Sequence, residues 1–183
     1  MSYEVALNKA WDELAQLGPG KDSSVRFLSD GYKIDLDKRR VISLSCNIPA
    51  KDYAAILILH YFINRLRGLP QLSSEWISFK ELEAGEIYYP AFRKRAIEPL
   101  VRKYGKNPEG IWQVLERLAA QKVKAGDVGI DLEIFPGVPA LIILWRGDDE
   151  FEPEANMLFD KSIAKIFCTE DIAVLAGFVA AKV

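Results

Sequence analysis

The sequence predicts an α+β protein: a mixed, mostly antiparallel sheet packed by helices around one central apolar helix. Three observations lead there. Short alternating or β-branched runs bounded by turn residues occur early and late in the chain. Stretches of helical periodicity stand before, between and after them. Finally, Ala54 to Ile63 is apolar on every side, so a helix there must be covered all round.

The first element is an amphipathic helix from Ser2 to Leu17, with Val5, Leu7, Trp11, Leu14, Ala15 and Leu17 near helical spacing and Gly18-Pro19-Gly20 as its stop. Val25 to Leu28, Tyr32 to Leu36 and Val41 to Leu44 then read as strands of an antiparallel meander, with turns at Asp30-Gly31 and Asp37-Lys38. Asn47 and Pro49 form the cap region of the central helix, with Asp52 favoring the positive end of its dipole. That helix runs to about Arg67 and ends at Gly68 and Pro70.

Pro70 to Pro90 is too aromatic for a solvated linker and lacks one clear period, which predicts a packed, irregular segment. Two polar-faced helices follow, Ala91 to Tyr104 and Pro108 to Val123, the second capped by Asn107 with Pro108 at its first position. Ile130 to Phe135 and Ala140 to Trp145 are strands of a hairpin joined by Pro136-Gly137-Val138-Pro139. After an acidic loop, Gly147 to Glu154, come helices at Asp160 to Phe167 and Thr169 to Ala181, the latter capped by Thr169. Whether the first three strands and the later hairpin share a sheet is open in the sequence, and one sheet is the simpler expectation.

With 183 residues, half of them apolar, the chain is expected to fold as a single domain spanning residues 1–183. Its 24 Lys plus Arg against 26 Asp plus Glu give a net charge of −2, so no overall field gathers nucleic acid or an anionic membrane. The charged N-terminal stretch lacks an export signal, and Tyr53 to Ile63 is too short to span a membrane, so the expected location is cytoplasmic. Two distant cysteines, Cys46 and Cys168, are expected to be buried free thiols.

The chemistry-bearing residues are few. His60 is the only histidine, which excludes multi-histidine metal sites and leaves a hydrogen-bonded core histidine or an axial ligand to a buried cofactor. The core reading is the better fit. Asp148, Asp149, Glu150 and Glu152 present carboxylates that would suit Mg²⁺ or Ca²⁺, but their spacing departs from the calcium-loop pattern and fits a solvated turn better. Lys38 to Arg40 and the helix bearing Arg93, Lys94, Arg95, Arg102 and Lys103 are basic without aromatic interleaving, a pattern of solvated surface. Glu75-Trp76-Ile77-Ser78-Phe79 either walls a pocket or plugs the core. Phosphate loops, dinucleotide fingerprints, nucleophile elbows and Cys-x-x-Cys pairs are absent.

Several segments, in order, carry a family resemblance: Leu59-His60-Tyr61-Phe62, Glu75 to Phe79, Phe135 to Pro139, Trp145 to Phe151, Leu158-Phe159-Asp160 and Glu170-Asp171. Together they resemble the bacterial and archaeal family catalogued as domain of unknown function 3786, over nearly the whole chain. The resemblance implies a domain of anaerobes that in some relatives is joined to an iron–sulfur domain, hence an association with redox or one-carbon metabolism. Two cysteines cannot ligate a four-iron cluster, so no intrinsic cluster is expected and an iron–sulfur or corrinoid protein would be a partner.

Two readings of function follow. In the first, the chain is a non-catalytic module that binds a small ligand or partner in a pocket bordered by Trp76, Phe79 and Trp145, with Arg146 and Asp148 at its mouth; a narrower form has a corrinoid or other tetrapyrrole ligated by His60. In the second, an enzyme uses Glu75, Asp148, Asp149 and Glu150 in acid–base or metal-assisted chemistry.

Overall fold

A computed structural model describes residues 3–20 and 23–183, which divide into two compact units, 1–71 and 72–183. Ser2, the expected first residue of the N-terminal helix, lies outside the described residues.

In the first unit, helix α1 (Tyr3–Leu17) turns Ala10, Trp11 and Leu14 inward and packs along helix α2 (Asp52–Arg67). Strands β1 (Ser23–Phe27), β2 (Asp30–Asp35) and β3 (Arg40–Ser43) form an antiparallel sheet in that order, as the meander reading requires. The first turn is displaced from its expected place, because Phe27 pairs with Asp30 and leaves Leu28 and Ser29 as the turn. Gly31 serves another purpose: a Cβ there would sit 2.9 Å from the Leu44 side chain, and its carbonyl accepts from Leu44 N–H at 2.7 Å.

α2 bears out the central apolar helix, with Ala54 to Leu59 and Tyr61 to Ile63 all buried. Its cap is corrected. Lys51 holds the N-cap position, while Asn47 takes a left-handed turn conformation and Pro49 bridges to Ile42. Asp52 sits in the first turn and Gly68, at φ 97°, closes the far end, where the missing side chain makes that conformation cheap.

The second unit is built on a five-stranded antiparallel sheet in the order β4-β8-β7-β6-β5, so the expected single sheet is in fact two. Its strands are β4 (Trp76–Ser78), β5 (Ala120–Val123), β6 (Val128–Phe135), β7 (Val138–Trp145) and β8 (Glu154–Asp160). The hairpin of β6 and β7 is longer than its sequence signal. Phe135 pairs with Val138, leaving Pro136-Gly137 as a two-residue turn with Gly137 at φ 78°.

Three expectations change in this unit, the first two because pairing overrides local pattern. The helix expected at Pro108 to Val123 is a 3-10 helix at Pro108–Glu116 followed by edge strand β5. Part of the irregular segment is β4, and the stretch after the acidic loop is β8. The helix expected from Asp160 is a short 3-10 turn, Lys161–Lys165, with Asp160 as its cap. One helical rod instead spans α3 (Gly85–Phe92), a π turn (Arg93–Ile97) and α4 (Glu98–Tyr104). Pro99 supplies no N–H to that rod's ladder, and the extra residue of the π turn falls just before it, with Glu98 N–H donating to the Arg93 carbonyl.

Helix α5 (Thr169–Lys182) packs against this rod, and the Val183 main-chain oxygen accepts from Lys103 Nζ, Tyr104 OH at 2.6 Å and Arg117. The core face of the sheet meets Phe92, which stacks on Phe79 at 4.2 Å and lies edge-on to Phe159 at 6.5 Å. No helix among the described residues is long and apolar enough to cross a membrane.

Candidate functional site

Phe79 is 1 % exposed and locked in the aromatic stack, so it plugs the core. Trp76 stands opposite Asp160 at one end of β8, and Trp145 stands opposite Glu154 at the other. Six residues of strand separate these positions, roughly 20 Å at ~3.3 Å per residue, so the two tryptophans do not border one pocket.

The polar residues expected beside them are occupied locally. Glu75 is exposed and pairs with Lys161 Nζ at 3.0 Å. Arg146 pairs with Glu109, while its N–H donates to Asp127 Oδ2 at 2.8 Å. Asp148 accepts from the N–H groups of Glu150 and Phe151 at 2.9 and 2.8 Å, which hold its carboxyl below the ordinary range and close the acidic loop on itself. Asp149 and Glu150 are exposed, and no group of three or more His, Cys, Asp or Glu suited to a metal occurs among the described residues.

His60 lies on α2 in the first unit, half-buried, and its carbonyl accepts from the Asn64 side chain at 2.9 Å. It lines none of the grooves described on either unit. Both cysteines are exposed rather than buried, Cys46 in the turn after β3 and Cys168 at the head of α5. The hydrogen bond with Ser43 Oγ, with help from the Ile48 N–H, holds the Cys46 thiol below its ordinary range.

The most deeply buried Asp among the described residues is Asp160, 4 % exposed, at the junction of β8 and the 3-10 turn. Burial alone would push its carboxyl up. The Ser162 hydroxyl and the Ser73 N–H, joined by the Ser162 N–H and Ser73 hydroxyl, outweigh that and bring it down to about 2. Ser74 N–H adds a contact at 2.8 Å. This carboxylate ties the segment before β4 to the sheet, a structural task.

The roomiest of the described depressions is a groove of about 600 Å³ on the second unit that sequence reasoning did not assemble. One wall is the helical rod, whose Tyr89, Arg93, Ile97 and Val101 recur every four residues and so form one ridge. Arg93 and Ile97 belong to the π turn, a distortion often found at functional sites. The other wall is the start of β8, Glu154 to Asn156, with Glu152, Pro153 and the half-exposed Trp145. Arg93, Arg102, Glu98, Glu152 and Glu154 form no ion pair among the described residues, leaving both signs of charge for an occupant. The four-residue recurrence was the available signal, masked because the basic residues read as solvated surface.

No curated protein and no solved structure matches this chain. The family model described as Domain of unknown function (DUF3786) matches residues 14–182. Since that match covers nearly the whole chain, with the quoted segments inside it, the protein belongs to the DUF3786 family.

Proposed function

We propose that this protein is a non-catalytic binding module of the cytoplasm whose ligand or partner occupies the groove between the α3–α4 rod and the start of β8. The observation that carries the reading is the pair of arginines, Arg93 and Arg102, standing without ion pairs among the described residues on one wall of a groove that also offers Trp145 and, within the same residues, carboxylates without ion pairs. Pockets of this kind combine apolar surface with a few polar groups that fix orientation. The carboxylates of the enzymatic alternative are dispersed in ion pairs or in solvent, which favors binding over chemistry. Family resemblance suggests that the occupant belongs to anaerobic redox or one-carbon metabolism, as an iron–sulfur or corrinoid protein or its cofactor.

Native mass spectrometry of anaerobically purified protein tests this, comparing wild type with the Arg93→Glu/Arg102→Glu double variant. An added mass on the wild type that the double variant lacks is the expected result. A mass retained by both would move the site elsewhere and end the assignment to this groove.

A further inference from the structure

β4 is only three residues long and covers β8 from Leu158 to Asp160. Among the described residues no strand continues β4 alongside Glu154 to Met157, so that stretch of β8 has a partner on the β7 side alone. The groove runs along this open edge. Ala155 shares the core-facing side of the sheet with Met157 and Phe159, whereas Trp145, Glu154 and Asn156 lie on the opposite side, and a single groove can be lined from both sides only where it follows the edge.

The backbone along the edge is identifiable from its hydrogen bonds. Lys161 N–H donates toward the β4 side, to the Glu75 carbonyl at 2.9 Å. Four residues back along the period of two, Met157 N–H donates at 2.9 Å to the side chain of its own neighbor, Asn156 Oδ1. Asn156 thus plugs one donor of an edge that would otherwise stand unpaired, a way in which sheets blunt their edges. Ala155, at the same phase, turns its N–H and carbonyl outward into the groove.

Resting on the reading of this groove as the binding site, we infer that its occupant is an extended segment of a partner protein that adds to β8 as a strand, continuing the line of β4 beyond Ser78. Recognition of this type takes affinity from main-chain hydrogen bonds and selectivity from alternate side chains. The walls state which side chains fit. Guest residues on the Trp145 side face Glu152 and Glu154, which suits lysine or arginine, with Trp145 as a cation–π platform. Those on the rod side face Ile97 and Val101 between Arg93 and Arg102, which suits apolar residues flanked by a carboxylate. The guest is therefore a strand alternating basic residues with apolar or acidic ones.

The probe is an acetylated, amidated octapeptide alternating lysine with valine or glutamate, titrated into the full chain and followed by amide chemical shifts and calorimetry. A peptide of the same composition in shuffled order and one N-methylated on alternate amides serve as controls. The expected result is saturable shifts at Ala155, Met157 and Ile97, lost with both controls. Ala155→Pro deletes an outward donor and no bond to β7, so it should keep the melting temperature and weaken binding about ten-fold, the loss of one or two main-chain hydrogen bonds. Asn156→Ala, which unplugs the edge, should tighten it. Binding that survives both Ala155→Pro and N-methylation but falls in Arg93→Glu would overturn strand addition while leaving the groove as the binding site. Absence of shifts at the β8 edge with the ordered peptide would overturn strand addition outright, and loss of the groove assignment would be read separately from the native mass comparison.

Discussion

At the scale of single residues, the sequence shows which side chains are unusual but not what holds them. In the sequence Asp160 stands out only as the start of an expected helix and as part of a family segment, yet it is the most heavily satisfied carboxylate described. Its folded pKa of about 2 lies below the ordinary 3.8, so its stabilization is complete above pH 3.8 and disappears as pH falls toward 2. The difference corresponds to about 2 kcal/mol. Urea unfolding at pH 6 and pH 2.5 should show Asp160→Asn losing most of its deficit relative to wild type at the lower pH; an equal deficit at both would refute the account. Cys46 offers a second check, because Ser43 Oγ is the leading stabilizer of its thiolate. Ser43→Ala should move the midpoint of Cys46 alkylation by iodoacetamide to higher pH, and an unmoved midpoint would remove Ser43 from that role. Phe79, for which pocket and plug were open alternatives, is settled as plug by its stack on Phe92, a contact of thirteen positions' separation that no local pattern displays.

At the scale of elements, strong periodicity was legible and weak pairing was not. α1, α2, α5 and the three strands of the meander stand close to where hydrophobic pattern puts them, since each has a face the core must cover. β4 and β5 are three and four residues long and exist only through the strands they pair with. β8 alternates Ala155, Met157 and Phe159 against Glu154, Asn156 and Asp160, a signal broken by Leu158 and hidden by the acidic loop beside it. The start of α3 depends on Gly85, where a Cβ would stand 2.1 Å from the Phe79 carbonyl oxygen. Gly85→Ala should therefore cost about 1–3 kcal/mol in urea unfolding and shift amide resonances along the rod wall of the groove. A variant as stable as wild type, with unmoved resonances, would show that the close approach is not required.

At the scale of the whole molecule, the chain's division into residues 1–71 and 72–183 meets the expectation of one domain at a point that unfolding can decide. Trp11 is the tryptophan of the first unit, and Trp112 lies in the second. We propose that residues 1–183 behave as a single domain. Variants retaining only one of these tryptophans should then lose their native fluorescence at the same urea concentration. Two separated midpoints would make the units independent domains.

The sequence by itself determined the α+β class, the buried helix around Leu57 and Ile58, the hairpin at Pro136-Gly137 and the family, because each of these is written in neighboring residues through periodicity, turn chemistry or ordered motifs. Tertiary structure alone decided that the strands form two sheets, that Trp76 and Trp145 stand at opposite ends of β8, and that Arg93 faces Glu154 across a groove. Those outcomes depend on pairing between segments tens of residues apart, where burying apolar faces and satisfying backbone donors select one register from many.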